Sequence, residues 1–275
     1  MRILHIWNTA GVASLMSKYL EKHGHRSEVI MRKSHDPFGM TEYYGHASTD
    51  LSGPEFIDHA VVMAKFYDVI HLHGLYRIAA QIKTLYPEKK VVLQHHGTEL
   101  SQCEDDDLRL ESYKSCDAII ASTMDLSSLL SKNGVEHYLL DNAVDTEIFK
   151  PMDNINKSEL ALMFDIRYLD TESSLKFVNS RVDWDAFLVD REESHIEYKE
   201  MPRYLNAFKR YIDVKCYEWT KGHPGKAYSK TGREALACGL EVLNYRGDIV
   251  KGLPAKFTPE VMVEKLIGIY EKCSA

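Results

Sequence analysis

The sequence predicts an α/β protein built as two unequal units, and three observations carry that expectation. Short apolar runs alternate with segments of helical period through the first half of the chain. A polar stretch, DNAVDTEIFKPMDN (141–154), then breaks the alternation and contains Pro151, which suits a junction between domains. Beyond it the alternation resumes over a shorter length. Strand, helix, strand in succession implies parallel sheets with helices on both faces. In such sheets ligands sit outside the carboxyl ends of the strands.

The elements follow in order. RILHIW (2–7) reads as a strand, and VASLMSKYLEKHG (12–24) as an amphipathic helix that stops at Gly24. SEVIM (27–31) is the next strand, and PEFIDHAVVMAKF (54–66) opens with a Pro suited to the first turn of a helix. DVIHLH (68–73), KVVLQHH (90–96), DAIIAS (117–122) and EHYLLD (136–141) complete the strands of the first half. The carboxyl-end rule therefore singles out Gly11, His71, His73, His95, His96 and Gly97. After the junction come strands at 159–165 and 185–190, a helix at 201–211, a strand at 212–217 and a helix–strand pair at 231–244. TPEVMVEKLIGIYEKC (258–273) is a helix with Thr258 as cap, Pro259 first, and an apolar stripe of Val261, Val263, Leu266, Ile267 and Tyr270. EDDD (104–107) reads as a solvated helix start.

Composition narrows the function. The 275 residues are 44% hydrophobic and 27% charged, which suits a soluble globular protein. Residues 1–150 hold 15 Lys and Arg against 21 Asp and Glu, and the remainder 19 against 20. Neither half is the basic surface that nucleic-acid binding calls for. The five cysteines form no C-x-x-C pair, as expected of reduced thiols in a cytosolic protein. MRILHIWNTAG reads as a first strand rather than a signal peptide, and no apolar run approaches the ~20 residues that span a bilayer. The expectation is a cytoplasmic protein with at most peripheral contact at the inner membrane face.

The stretch TKGHPGKAYSKTGREALACGLEVLNYRG (220–247) concentrates the chemistry. Thr231 and Glu234 have the S/T-x-x-E spacing of a capping box, in which Glu234 would serve the backbone. The same helix start offers backbone NH groups and a dipole to an anion such as phosphate, with Lys230 and Arg233 adding charge. A carboxylate there can accept two hydrogen bonds from the vicinal diol of a ribose. Both readings stand on the sequence. A P-loop fails, because GHPGK has two residues between its glycines where four are needed. NTAGVAS lacks the G-x-G-x-x-G of a nicotinamide site. His71 and His73 are read as lying on opposite faces of their strand, hence as poor partners for one metal, and D-x-D in VDWD (182–185) as chance. No metal and no cofactor are expected.

REALACGLEVL (233–243) resembles the E-A-x-A-x-G-x-P-V segment of the group 1 (family 4) retaining glycosyltransferases. NTAGVASLMSKYLEKHGH resembles that family's first glycine loop and helix, and DVIHLHGL its D-V-[IV]-H-x-H strand. VVLQHHGTEL resembles its V-x-x-x-H-G-T-[DE] segment, and DNAVDTEIFKP its N-G-V-D-x-x-x-F-x-P junction. The pieces span most of residues 1–151 and then 229–244. The resemblance implies the GT-B fold, two Rossmann-like domains facing a cleft. Residues 1–150 would form the acceptor-side domain and 151–257 a reduced nucleotide-sugar domain. Residues 258–275 would form a helix crossing back to the first.

Roles follow by position. Glu234 matches the second Glu of the family's E-x7-E motif, which holds the donor ribose. Thr231 and Gly232 sit where the helix start faces the diphosphate, and Gly11 matches the glycine that lets the first loop approach it. His96 matches the histidine of H-G-T-[DE], able to hydrogen-bond an acceptor hydroxyl or shuttle its proton. His73 would line the acceptor side. The chain departs from the pattern at Lys226, where the family has its first Glu, and Arg167 and Lys176 have the wrong spacing for the family's diphosphate clamp. Lys215, Ser229 and Lys230, with Tyr228 nearby, are the replacements, and His96 and Lys230 the candidate catalytic residues. The expected activity is metal-independent transfer of a sugar from a nucleoside-diphosphate sugar to a sugar or lipid-linked acceptor, with retention. The rivals are a non-catalytic nucleotide-sugar-binding scaffold and another GT-B enzyme such as an epimerase.

Overall fold

The structure is a computed structural model that describes residues 1–97, 100, 106–165, 171–190, 193–213, 228–244 and 246–273. Lys215, Lys226, Arg167 and part of the EDDD run lie outside the described residues. The chain divides into two compact units, Met1–Ala143 with Pro259–Ala275, and Val144–Thr258.

The first unit is built on seven parallel strands: β1 (Arg2–Ile6), β2 (Arg26–Arg32), β3 (Ser48–Thr49), β4 (Val69–His73), β5 (Lys90–His95), β6 (Ala118–Ala121) and β7 (Tyr138–Leu139). Their order is β3-β2-β1-β4-β5-β6-β7. The order reverses between β1 and β4, and that switch point is where open α/β sheets place ligands. Helices α1 (Val12–Lys22), α2 (Met40–Tyr43), α3 (Gly53–Ala64), α4 (Ala79–Leu85), α5 (Asp106–Lys114) and α6 (Met124–Lys132) connect the strands, and Pro259–Lys272 forms the terminal helix.

Alternation along each strand sorts the core into two layers. Leu4, Ile6, Ile70, Leu72, Val91 and Leu93 face one way, against α3 and α4. Ile3, Val69, Val92 and Ile120 face the other, against Met16 and Leu20 of α1 and Met262, Leu266 and Tyr270 of the terminal helix. The buried stripe of that helix runs Met262, Val263, Leu266, Ile269, Tyr270, rotated from the expected one so that Met262 and Ile269 take the places of Val261 and Ile267. Thr258 Oγ1 donates to the Ala255 carbonyl at 2.9 Å.

A capping box does occur in this unit, at the start of α3. Ser52 accepts from the Glu55 NH, and the Glu55 carboxylate accepts from the Ser52 NH at 2.9 Å. Ser52→Ala is expected to cost about 1 kcal/mol, read as a lower urea midpoint at unchanged slope.

The second unit carries β8 (Ser158–Asp165), β9 (Ala186–Asp190), β10 (Phe208–Ile212), β11 (Glu241–Leu243) and β12 (Ile249–Lys251), in the order β12-β11-β10-β8-β9. All pair in parallel except β12, which runs antiparallel to β11. Its helices are α7 (Thr171–Asn179), α8 (Met201–Asn206) and α9 (Lys230–Ala237). The helix expected over 201–211 stops at Asn206, and a strand begins at Phe208. Asn206 ends the helix by drawing in other backbone: its Nδ2 donates to the Lys150 and Pro202 carbonyls, and its Oδ1 accepts from the Met152 NH. Phe208, Tyr211 and Ile212 are then buried in the sheet. Residues 144–151 belong with this unit, since the Val144 NH donates to the Phe257 carbonyl and Gly239 lies against Pro151.

Among the described residues Cys116, Cys238 and Cys273 are free thiols, and no helix is long and apolar enough to cross a membrane.

Candidate functional site

The carboxyl end of the first sheet turns from apolar to polar on one face. Outward from Ile3, Val69, Val92 and Ile120, the same face carries His5 on β1, His71 and His73 on β4, Gln94 and His96 after Val92, and Ser122 after Ile120. Parallel pairing brings them level, His5 opposite His71 and His73 opposite Gln94. Residues two apart on a strand share a face, so the expectation that His71 and His73 diverge is overturned. Their rings stack with centroids 4.3 Å apart. His95 takes the other face and meets the Tyr113 hydroxyl at 2.9 Å.

Hydrogen bonds join this layer into a string. His5 Nδ1 lies 2.9 Å from His73 Nε2, His73 Nδ1 lies 2.9 Å from His96 Nε2, and His96 Nδ1 lies 3.1 Å from Ser122 Oγ. Ser122 decides the tautomers. Its hydroxyl donates to the His95 carbonyl at 2.6 Å and accepts from Gln94 Nε2 at 3.0 Å. Its oxygen can therefore only accept from His96, whose Nδ1 carries the proton. The assignment then propagates: His73 donates from Nδ1 to His96, and His5 donates from Nδ1 to His73. His5 Nε2 is left as a bare acceptor, buried with no hydrogen-bond partner. His71 stands beside the string with Nδ1 2.7 Å from the Tyr270 hydroxyl.

Burial keeps these rings neutral. His5 is pushed down to about 3 by desolvation, with the charge of His46 acting the same way. His71 and His73 lie well below the usual imidazole range, first from burial and then from the imidazoles around them, while Gln94 pulls His71 weakly upward.

The loop leaving β1 is strained and firmly held. Trp7 and Ala10 have φ of 78° and 51°, and Gly11, the N-cap of α1, has φ of 77°. Positive φ at a non-glycine residue costs about 1–3 kcal/mol and persists where its surroundings over-determine it. Here Asn8 does so: its Nδ2 donates to Ser14 Oγ at 2.8 Å and Thr41 Oγ1 at 3.0 Å, and its Oδ1 accepts from the Ser14 NH at 3.2 Å.

In the second unit the predicted donor residues gather at the start of α9, with a shifted register. The N-cap is Ser229, whose side chain accepts from the Gly232 NH at 2.9 Å. Thr231 lies inside the first turn, so the expected Thr231–Glu234 capping box does not form. Glu234 lies a full turn into the helix. Its carboxylate is buried and lies 3.4 Å from Lys230 Nζ, one turn earlier. Lys230 also sits over the Tyr198 ring, 4.9 Å from its centroid, and the Arg233 guanidinium over Phe257 at 4.3 Å.

Sequence reasoning missed Asp213. It is buried beyond β10 and accepts from the Ser229 NH at 2.8 Å. A Cβ on Gly232 would fall 2.0 Å from its Oδ2. The chain thus supplies its own anion at the first turn of α9, where the helix dipole favours one. No local pattern marks this, because Asp213 precedes Gly232 by 19 positions. His5, Gln94, Ser122 and Tyr270 were missed too, although the first three were legible from strand alternation.

No protein-family model matches the chain, and no curated protein matches it. Solved structures do. An α-glucosyltransferase in complex with UDP-glucose and DNA containing an abasic site superposes with a TM-score of 0.60 at 13% identity, covering 100% of this chain and 91% of that one. An α-glucosyltransferase in complex with UDP gives 0.56 at 11%, covering 100% and 91%. The UDP-GlcNAc 2-epimerase from Methanocaldococcus jannaschii gives 0.51 at 12%, covering 88% and 83%. Identities this low speak for the fold alone: the chain has the α/β GT-B fold of two Rossmann-like domains.

Proposed function

We propose that the protein is a glycosyltransferase that moves a sugar from a nucleoside-diphosphate sugar to a hydroxyl acceptor with retention of configuration. The observation that carries this reading is Glu234. The structure relieves it of capping and presents a buried carboxylate one turn into α9, beside the Lys230 cation. A carboxylate with that freedom suits a ribose diol. The structural neighbours crystallised with UDP or UDP-glucose support the same reading.

Breaking the sugar–phosphate bond builds positive charge on the sugar and negative charge on the departing diphosphate. In this reading Lys230, in the first turn of α9, stabilises that charge, with Thr231 beside it. Asp213 accepts from the Ser229 NH and packs against Gly232, whose own NH goes to Ser229 Oγ, so those two shape the helix start rather than grip phosphate. In the string His96 has both ring nitrogens engaged, by His73 and Ser122. It is therefore a poor base, which suits attack from the leaving-group side with a phosphate oxygen taking the acceptor proton. His73 and His96 then orient the acceptor side, and Gly11 shapes the first loop. The transfer step itself calls on no metal.

The test is a thermal-shift screen against UDP, GDP, ADP and their sugars, in which a ligand at 100 times its Kd adds about 2.7 kcal/mol of apparent stability. Glu234→Gln is expected to keep the fold and weaken the responding nucleotide by about 2 kcal/mol, roughly 30-fold, for loss of a charged acceptor. Unchanged affinity would remove Glu234 from the donor site. A stoichiometric shift without transfer of labelled sugar would favour the scaffold reading, which Lys226 at the family's first Glu position supports.

A further inference from the structure

The imidazole layer carries a second site, which shares His73 with the acceptor side of the reading above. His5, His71 and His73 are 0%, 0% and 1% exposed. One ligand nitrogen from each lies within 4.8 Å of the other two, and no carboxylate or thiolate joins the group among the described residues.

The hydrogen bonds prepare two of the rings as ligands. His71 has its Nδ1 2.7 Å from the Tyr270 hydroxyl and His73 has its Nδ1 2.9 Å from His96, while His5 Nε2 and His71 Nε2 are buried without a hydrogen-bond partner. Metal-binding histidines have this form: one nitrogen faces the ion while the other is fixed by an outer partner that sets the ring's orientation. Without an ion, each unpartnered buried nitrogen is a standing cost to the fold. We propose that His5, His71 and His73 bind a transition-metal ion of the Zn2+ class.

The donor chemistry selects the ion. Imidazole nitrogens suit zinc, copper and nickel, whereas magnesium and calcium take oxygen. Three histidines leave a fourth position, where hydroxide would offset part of the ion's charge in a site with no carboxylate. A tetrahedral site with bonds of about 2.05 Å sets its nitrogens about 3.3 Å apart. The rings therefore close slightly on the ion, and His73 binds through Nε2, giving up its bond to His5 and keeping the one to His96. The strands on which the three sit are paired directly, β1 with β4, which keeps the three side chains on one patch of the sheet.

The experiment uses the full chain without an affinity tag, stripped with chelator and titrated with Zn2+ and Co2+. The expected result is one equivalent of Zn2+ retained through gel filtration, and visible absorption of tetrahedral intensity with Co2+. His5→Gln and His71→Gln are each expected to weaken Zn2+ by more than about 100-fold, and Tyr270→Phe by about 10-fold, as for an outer partner. His25→Gln, which removes the ring 3.3 Å from the terminal amine, leaves binding unchanged. Absence of saturable one-equivalent binding overturns the proposal, as does binding that survives His5→Gln or is abolished by His25→Gln. If His5→Gln fails to fold, histidine 15N spectra of the unaltered chain decide: Zn2+ must move the His5 and His71 Nε2 resonances, and unmoved resonances overturn the site.

Discussion

Lowering the pH from 7.5 to 5.5 is expected to destabilise the chelator-treated protein, by about 1.4 kcal/mol for each histidine that stays neutral in the folded state. His5, His71 and His73 carry this loss together with His46 and His25, which burial also pulls below the usual imidazole range. In the folded state the first three are held neutral, His5 down to about 3 and the other two well below the usual range. The unfolded chain titrates them near 6.5. Between those values the unfolded state binds more protons, so stability rises with pH; it is fully present above about 6.5 and lost as pH falls below it. Each histidine contributes a slope of about 1.4 kcal/mol per pH unit once the unfolded chain is protonated. Domains are stable by only about 5–15 kcal/mol, so the first unit should open in mild acid. Urea unfolding at a series of pH values reads the effect, and replacing one of the first three by Gln should lower the slope by about 1.4 kcal/mol per pH unit. A stability that stays flat between pH 7.5 and 5.5 would show that these rings are not held neutral.

Gly232→Ala is expected to destabilise the second unit by about 3–5 kcal/mol, at the high end for a single methyl group. The reason is steric. The new Cβ would stand 2.0 Å from Asp213 Oδ2 and 2.7 Å from its Cγ, and Asp213 is held by the Ser229 NH. Alanine is otherwise better than glycine inside a helix by about 1 kcal/mol, so the sign of the effect is diagnostic. Asp213→Ala should recover part of the loss in the double variant, measured as a coupling energy by thermal or urea unfolding. A neutral or stabilising Gly232→Ala would mean that Asp213 does not pack on the helix start.

The two results bear on the proposed transferase site from opposite sides. Burial keeps His5, His71 and His73 neutral, and the string engages both ring nitrogens of His96, which in the proposed site suits it to orient an acceptor rather than to take its proton. Asp213 explains why Gly232 is a glycine without appeal to phosphate, which shifts the weight of donor binding onto Glu234 and Lys230.

Much of the fold was legible because its signals are local. Strand alternation depends only on a period of two, and it carries the parallel sheets, the apolar layer of Ile3, Val69, Val92 and Ile120, and the polar positions beyond it. The same period puts His71 and His73, two positions apart, on one face of β4. Where two local rules competed, the outcome was less secure. Ser229 and Thr231 can each cap a helix, and the S/T-x-x-E spacing favoured Thr231. The structure chose Ser229, whose side chain accepts from the Gly232 NH while its own NH donates to Asp213. The helix expected at 201–211 failed for a similar reason, because Asn206 answers to Lys150 and Met152, more than fifty positions away.

By itself, then, the sequence determined the alternation of strand and helix, the break near 141–154, and which residue types crowd the carboxyl ends of the strands. These follow from short-range sterics and from the period of burial. Tertiary structure alone decided that β1 pairs with β4, so that His5 meets His71 and His73. It alone decided that Tyr270 reaches His71 from the far end of the chain, and that Asp213 lies under Gly232. Those contacts join residues 19 to 199 positions apart, and no spacing rule reaches that far: they exist because burying two faces of a sheet leaves its polar groups only one another to satisfy.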